Sequence, residues 1–185
     1  MIDVNDLRKG VTFEFDGNLY KVLEYSHNKP GRGNATIRTK LRNLRSGAVI
    51  ERTFTSGERV PDVRLDYHVV QFLYLDGDLF HFMDTETYDQ PVLNRSVLGD
   101  AVDFLKEGQE VKLTFYGPEP LDVELPTAVE LKVVEAEFAV RGDTATGATK
   151  SVVTETGLKV QVPLFVENGA TIRVDTRTGQ YLTRV

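Results

Sequence analysis

Apolar and polar residues alternate along most of this chain with a period close to two. In Val11, Phe13 and Phe15 every second residue is apolar, so on a β-strand these side chains would point to one face. Similar segments follow at short intervals, and turn-forming pairs such as Asp16-Gly17 separate them. The sequence therefore predicts an all-β protein made of short antiparallel strands.

The first part of the chain is typical of a small SH3-like barrel. Its predicted strands are residues 11–15, 19–25, 35–44 and 49–55. A loop from Lys29 to Asn34 connects the second and third strands, and in it Pro30 fixes φ while Gly31 and Gly33 permit positive φ. We expect this loop to form a restrained hairpin tip.

Two proline breaks divide the rest of the chain into two further barrels. After Pro61, strands are predicted over residues 67–75, 79–83, 110–116 and 121–125, with one helical turn over 100–106 that Gly108 closes. After Pro126, strands are predicted over residues 128–140, 150–155, 158–162, 170–175 and 180–185. Both strand sets suggest OB folds, so the predicted domains are residues 1–64, 65–127 and 128–185.

The composition limits the classes of protein to which the chain can belong. It contains no cysteine, which excludes disulfides, thiolate metal sites and cysteine nucleophiles and favours a reducing compartment. Residues 1–9 carry acids and lack the apolar run of a signal peptide, and no stretch approaches the roughly 18 apolar residues of a transmembrane helix. We therefore expect a cytoplasmic protein that does not enter a membrane.

The net charge of −6 hides a strong polarity along the chain. Residues 1–64 contain 12 Lys or Arg against 8 Asp or Glu, whereas residues 65–127 contain 3 against 13 and residues 128–185 contain 7 of each. A basic end followed by an acidic middle favours a molecule that presents one end to phosphates and is repelled by them at the other.

Basic charge concentrates in residues 26–50, which contain no acid. The cations are Lys29, Arg32, Arg38, Lys40, Arg42 and Arg45. Arg38, Lys40 and Arg42 have the same parity, so on a regular strand they would form a basic stripe that leads to the loop. A solvated strand face is the ordinary alternative, but the absence of acids in this run favours contact with RNA. If about five phosphates are neutralised, log affinity should fall against log salt with a slope of roughly −3.5 to −4.5.

Arg32 is the predicted centre of this contact. It lies between two glycines, so its side chain can project without local crowding. A guanidinium stays charged at physiological pH, binds phosphate through two N–H groups and stacks on bases. Lys29, Pro30, Gly31 and Gly33 complete the predicted RNA-binding loop.

No arrangement of residues predicts an enzyme. His27, His68 and His81 have no metal-ligand spacing, and the sequence contains no nucleophile elbow or phosphate-binding loop. The acids between residues 76 and 89 are explained more simply as hairpin turns and a phosphate-repelling surface than as a metal site. We therefore expect no catalytic residue, cofactor or metal.

The loop Lys29–Ala35 resembles the tip of the bacterial elongation factor P family. The C-terminal match is more specific, because residues 157–169, Gly-Leu-Lys-Val-Gln-Val-Pro-Leu-Phe-Val-Glu-Asn-Gly, and residues 172–181 look like that family's signature region. Gly142, Asp143 and Thr144 match a further family motif. The resemblance covers the whole chain in order.

This resemblance implies an SH3-like domain of the KOW type and two OB domains, in an L shape that mimics tRNA. It implies a non-enzymatic, monomeric factor that binds the ribosome between the peptidyl and exit sites, in contact with rRNA and ribosomal proteins. Such a factor rescues ribosomes stalled at consecutive prolines by positioning peptidyl-tRNA. Arg32 would approach the CCA end of that tRNA, and Gly142, Asp143 and Thr144 would lie near the exit-site mRNA codon.

Two alternatives stay open at this stage. Many family members carry a modified lysine at the tip where this chain has Arg32, so Arg32 is either rhamnosylated or unmodified, and the intact mass of the native protein distinguishes the two forms. The second alternative is a general single-stranded RNA-binding OB protein without a ribosomal site, which would need aromatic platforms on an OB face.

Overall fold

The structure is a computed structural model that describes residues 1–138 and 147–185. Its strands are β1 Ile2–Asp3, β2 Thr12–Phe15, β3 Asn18–Asn28, β4 Thr36–Asn43, β5 Val49–Thr55, β6 Arg59–Val60, β7 Asp66–Asp76, β8 Leu79–Asp84, β9 Val92–Asn94, β10 Glu110–Tyr116, β11 Glu119–Glu124, β12 Ala128–Ala136, β13 Thr149–Thr154, β14 Lys159–Pro163, β15 Thr171–Asp175 and β16 Tyr181–Arg184. Helix α1 spans Arg95–Leu98, and 3-10 helices span Val4–Asp6 and Gly99–Phe104. The fold is mostly β, which confirms the predicted class, and no helix in the described ranges is long and apolar enough to cross a bilayer.

The chain divides into two compact units, of which the first consists of residues 1–67 and 114–122. In this unit β2, β3, β4 and β5 form an antiparallel sheet in that order, and β1 pairs with β6. Phe13, Ile37, Leu41 and Phe54 are buried on one face of the sheet, together with Val4 from the first 3-10 helix. These apolar residues form the core against which the basic hairpin is built.

The hairpin of β2 and β3 has the tight turn that Asp16-Gly17 predicts. Phe15 pairs with Asn18, and the two turn residues have positive φ angles of 48° and 73°. Positive φ at both positions defines a type I′ turn, whose twist matches that of the flanking strands. This short turn sets the register with which β3 enters the sheet.

The second unit consists of residues 68–113 and 123–185. Strand β8 pairs antiparallel with β7 and with β9, and the C-terminal strands form a sheet in the order β14-β13-β12-β15-β16. Leu131, Val133, Val162, Ile172 and Val174 are fully buried in the C-terminal core. Each of these residues lies in a strand that the alternating pattern predicts.

The helical segment of the second unit begins earlier than the sequence pattern predicts. Helix α1 begins at Arg95 because Asn94 caps it: the Asn94 Oδ1 accepts the backbone N–H of Ser96 at 3.0 Å. The following 3-10 helix ends at Phe104, whose ring is buried in the C-terminal core. The helical segment therefore ends two residues before the predicted boundary, at a residue that packs in the C-terminal core.

Asp175 organises the turn between β15 and β16. Its Oδ1 accepts the backbone N–H of Arg177 at 2.7 Å, and its Oδ2 accepts the Arg177 Nη2 at 2.9 Å. The side chain of Arg177, followed by its backbone N–H, lowers the pKa of Asp175 to about 2. The same hydrogen bond raises the pKa of Arg177.

We predict that Asp175→Asn removes a pH-dependent part of the stability. The folded-state pKa of Asp175 is depressed, so its contribution is present above the unfolded-state pKa of about 3.9 and is lost as the pH falls from there toward about 2. The difference in melting temperature between wild type and variant should be constant near neutral pH and shrink across this acidic window. Melting curves that stay equally far apart in the acidic window would contradict the assignment.

Candidate nucleic-acid interface

The predicted tip loop closes the hairpin of β3 and β4. Asn28 and Thr36 form the last pair of the ladder, so the tip loop consists of residues 29–35. Residues 29–34 are all exposed. Gly33 has a φ of 103°, which residues with a side chain rarely adopt, whereas Gly31 lies outside the left-handed region. The loop therefore needs glycine for its backbone at one position only.

Arg32 projects from the tip loop into solvent. Its side chain is exposed and forms no hydrogen bond or ion pair with any residue in the described ranges. All five N–H donors of the guanidinium are thus available to a phosphate or a base. The structure presents this group as the sequence interpretation expects.

Strand β4 alternates between a buried face and an outward face. The buried residues are Ile37, Thr39 and Leu41. Arg38, Lys40 and Arg42 lie between and after them and point away from that core. The prediction that these three cations share one face is confirmed.

The basic stripe has acidic neighbours in the folded protein, although residues 26–50 themselves contain no acid. Lys40 Nζ lies 3.6 Å from Glu24 Oε1 on the neighbouring strand. Glu24 pairs with Lys40 in the ladder of β3 and β4, although it precedes the acid-free run in the sequence. Antiparallel pairing therefore brings in an acid that the local sequence does not contain.

Residues 114–122 supply the acids at the base of the stripe. Arg42 Nη1 lies 3.7 Å from Asp122 Oδ1, and Lys21 Nζ lies 3.6 Å from Asp122 Oδ2. Asp122 is only 7% exposed, so its charge is held in a partly desolvated site by these cations. Arg45 Nε lies 3.1 Å from Glu119 Oε1, and this hydrogen bond raises the pKa of Arg45.

The first unit is less basic than residues 1–64 alone, because it also contains Asp66, Glu119 and Asp122. Its residues contain 12 Lys or Arg against 11 Asp or Glu, a net charge of +1. Of the six predicted cations, Lys29, Arg32 and Arg38 have no acidic partner among the described residues. Positive charge that is free to bind phosphate therefore lies on the tip loop and on the adjoining end of β4.

Two contacts next to the tip loop are not evident from the sequence. His27 Nε2 lies 3.0 Å from Asn5 Oδ1, and the guanidinium of Arg8 lies 5.1 Å from the centre of the Tyr25 ring. Asp3 and Asn5 show the spacing of a helix cap, but nothing in the sequence links Asn5 to a strand 22 residues away. These contacts connect the N-terminal segment to the hairpin.

The other two histidines lie in the second unit. His68 Nδ1 lies 2.7 Å from Asp84 Oδ2, and the ring of His81 stacks on that of Tyr74 with 4.4 Å between centroids. The backbone N–H of Thr87 donates to Asp84 Oδ1 at 3.0 Å and lowers the pKa of Asp84. The carboxylate of Asp84 thus organises the turn that follows β8.

Comparison with known proteins brings these features together. Three family models match successive parts of the chain: an elongation factor P (EF-P) KOW-like domain over residues 3–60, an elongation factor P (EF-P) OB domain over residues 65–123, and an elongation factor P C-terminal model over residues 129–184. Proteins named elongation factor P from Moorella thermoacetica and Carboxydothermus hydrogenoformans are 52% and 50% identical, over 100% of both chains in each pair. The chain belongs to the elongation factor P family.

A solved structure supports the fold of this elongation factor P family member. Eukaryotic translation initiation factor 5A from Methanococcus jannaschii matches 68% of this chain and 90% of its own, with a TM-score of 0.52 and 23% identity. At that identity the likeness concerns the fold alone. Together with the family models, it confirms the predicted KOW-like domain followed by an OB domain, and the C-terminal part matches a family model of its own.

One predicted element of the family lies outside the described residues. Gly142, Asp143 and Thr144 were placed near the exit-site codon by the family resemblance, and residues 139–146 are not among those that the structure describes. Their role stays a prediction.

We predict that Asp122→Asn destabilises this elongation factor P fold by about 1–3 kcal/mol, because the buried carboxylate that pairs with both Lys21 and Arg42 is lost. Urea unfolding at low salt measures the change. Glu24→Gln is the matched control, since it removes the carboxylate beside Lys40, where both side chains are largely exposed, and should cost less than about 1 kcal/mol. If both variants lost the same free energy of unfolding, the result would contradict a special role for Asp122.

Proposed function

We propose that this protein binds the ribosome between the peptidyl and exit sites and promotes peptide-bond formation at consecutive prolines by holding peptidyl-tRNA in a productive geometry. As a member of the elongation factor P family, the chain is a translation elongation factor. The observation that carries the proposal is the exposed guanidinium of Arg32 at the end of the β3–β4 hairpin, which has no partner among the residues that the structure describes.

In this proposal the tip loop of the domain formed by residues 1–64 approaches the CCA end of the tRNA. Lys29, Arg32 and Arg38 contact phosphates or bases there, because no acid competes for them among the described residues. Lys40, Arg42 and Arg45 support the hairpin through their ion pairs. The acidic domain, residues 65–127, and the C-terminal domain, residues 128–185, then provide the remaining contacts with the ribosome, including the exit-site codon.

A factor of this kind needs no catalytic group of its own. Proline has a restricted backbone, so misalignment of the reactants is a plausible limit to the reaction at consecutive prolines. Holding reactants in attack geometry lowers the barrier, and each tenfold in rate corresponds to only about 1.4 kcal/mol. A charge-assisted hydrogen bond contributes roughly 1.5–3 kcal/mol. One or two such contacts from Arg32, made in the productive geometry, are therefore sufficient for an acceleration of tenfold or more.

General binding of single-stranded RNA is the competing function, and exposed aromatic rings are the feature that favours it. Tyr74 and Tyr88, in the segment of residues 65–127, are 46% and 70% exposed. That segment, however, holds 13 acids against 3 cations, and negative potential repels the RNA backbone before a base can stack. The charge distribution therefore favours the tip loop over the OB faces as the RNA-binding surface.

We predict that Arg32→Ala abolishes the relief of stalling at consecutive prolines and leaves the fold intact, because the side chain has no partner among the described residues. Synthesis of a peptide with a proline run, in a reconstituted translation system, measures the relief, and thermal unfolding checks the fold. Arg64→Ala removes another exposed arginine of the same unit and should act like wild type. Full relief by the Arg32 variant would refute the role of the tip.

We predict a weaker salt dependence of ribosome binding than six free cations would give. Three phosphate contacts correspond to a slope of about −2 to −3 for log affinity against log salt. Co-sedimentation with ribosomes at several KCl concentrations measures the slope. Arg38→Gln should reduce its magnitude by about 0.7 to 0.9, whereas Arg45→Gln, whose guanidinium is already paired with Glu119, should change it little. Equal effects of the two variants would show that Arg45 also reaches phosphate, and binding no stronger than to unrelated RNA would support the competing function.

A further inference from the structure

The side chains of Ser26, His27 and Asn28 at the outer end of β3 are all exposed, and the tip loop continues beyond them. The opposite strand, β4, is held there by its pairing with β5 and by the burial of Ile37. The ladder of β3 with β2 ends at Lys21, so among the described strands the outer end of β3 pairs with β4 alone. The direction of the tip loop therefore depends on the contacts that hold this end of β3.

Asn5 is rigidly held at the N-terminal side of the hairpin. Its backbone N–H and its Nδ2 both donate to Asp3 Oδ1, at 2.8 and 2.6 Å. The segment around it is tied to the core, since Val4 is fully buried and its N–H donates to the carbonyl of Glu58 at 3.0 Å. The side chain of Asn5 is therefore held in one position relative to the core of the first unit.

The bond to Asp3 also determines which way the amide of Asn5 points. A carboxylate only accepts hydrogen bonds, so the group beside Asp3 is the NH2 group and the opposite atom is the oxygen. That Oδ1 accepts the Ser56 hydroxyl at 3.0 Å and lies 3.0 Å from His27 Nε2. Because an amide oxygen cannot donate, His27 carries its proton on Nε2 and donates to Asn5.

Asn5 therefore joins three segments that are distant in sequence: the N-terminal 3-10 helix, the turn after β5 and the outer part of β3. Its contact with β3 is made at His27, one residue before the last pair of the ladder. Arg8, in the same N-terminal segment, adds a second contact through its guanidinium, 5.1 Å from the centre of the Tyr25 ring. Both contacts lie on the outer part of β3, on the side chains of Tyr25 and His27.

We propose that Asn5 is a positioning residue for Arg32: through His27 it holds the outer hairpin in the direction that brings the tip loop to the tRNA. This inference rests on the proposed function of the tip. In this proposal Asn5 itself does not contact the tRNA. Its effect is to restrict the orientations of Arg32, so that binding energy is spent on the productive geometry.

The full chain with Asn5→Ala tests the proposal. Ribosome affinity should stay within about twofold of wild type, because Lys29, Arg32 and Arg38 are unchanged. The rate of peptide-bond formation at a proline run under saturating factor should fall by about tenfold or more, since a small misplacement of a positioning group costs up to about 100-fold. Ser26→Ala is the matched control: Ser26 precedes His27, is exposed, and makes no side-chain hydrogen bond within the described residues.

Two measurements separate positioning from a general loss of structure. Amide hydrogen exchange in residues 26–28 and 36–38 should accelerate by about two- to tenfold in Asn5→Ala, as expected for one lost hydrogen bond, while the core strands keep their rates. In ¹H–¹⁵N NMR spectra the Nε2 proton of His27 should exchange with solvent faster in the variant than in the wild type, because it loses its acceptor on Asn5.

The outcomes are distinguishable. A variant with wild-type rate at saturation, or with unchanged exchange near the tip loop, overturns the inference. A variant that loses rate and affinity together, with faster exchange throughout the core, also overturns it, because the role of Asn5 would then be structural. If the wild-type protein itself gives no stimulation at proline runs, the proposed function fails first, and the positioning role fails with it.

Discussion

Antiparallel pairing of β4 with both of its neighbours is the constraint on which the candidate interface depends. The ladder with β3 runs from Asn43 to Thr36, and the ladder with β5 covers nearly the same length. One face of β4 is buried in the core, so the other face has to point outward. A shift of the register by one residue would turn Arg38 inward and expose Ile37, and the cost of burying that charge makes the observed register the stable one.

Position along this hairpin decides what each cation does. At its base, Arg42 and Arg45 are held by Asp122 and Glu119, and there the charges contribute to the fold. Toward the tip, Arg38 and Arg32 have no acidic partner among the described residues. The first unit as a whole is therefore nearly neutral, and its positive potential is concentrated where the hairpin extends farthest from the core.

Positive charge concentrated at the end of the hairpin suits the proposed factor, which would act by positioning peptidyl-tRNA. Such a factor gains little from strong binding alone, because binding that is equal in the ground state and the transition state does not raise the rate at saturation. What it needs is a restricted orientation of its contact groups. Pro30 in the tip loop and the hydrogen bond between His27 and Asn5 both limit that orientation.

Strand positions, the tight turn at Asp16-Gly17, the shared face of the basic stripe and the family itself are determined by the sequence alone. Alternation and turn chemistry depend on residues that are close neighbours in the chain, and family motifs are read directly from it. Only the tertiary structure decided which cations are paired, which core buries Phe104 and how Asn5 contacts His27. Arg45 and Glu119 are 74 residues apart, and Phe104 is buried by strands that follow it. Contacts of this kind depend on how distant segments pack, so the pattern of neighbouring residues in the sequence does not indicate them.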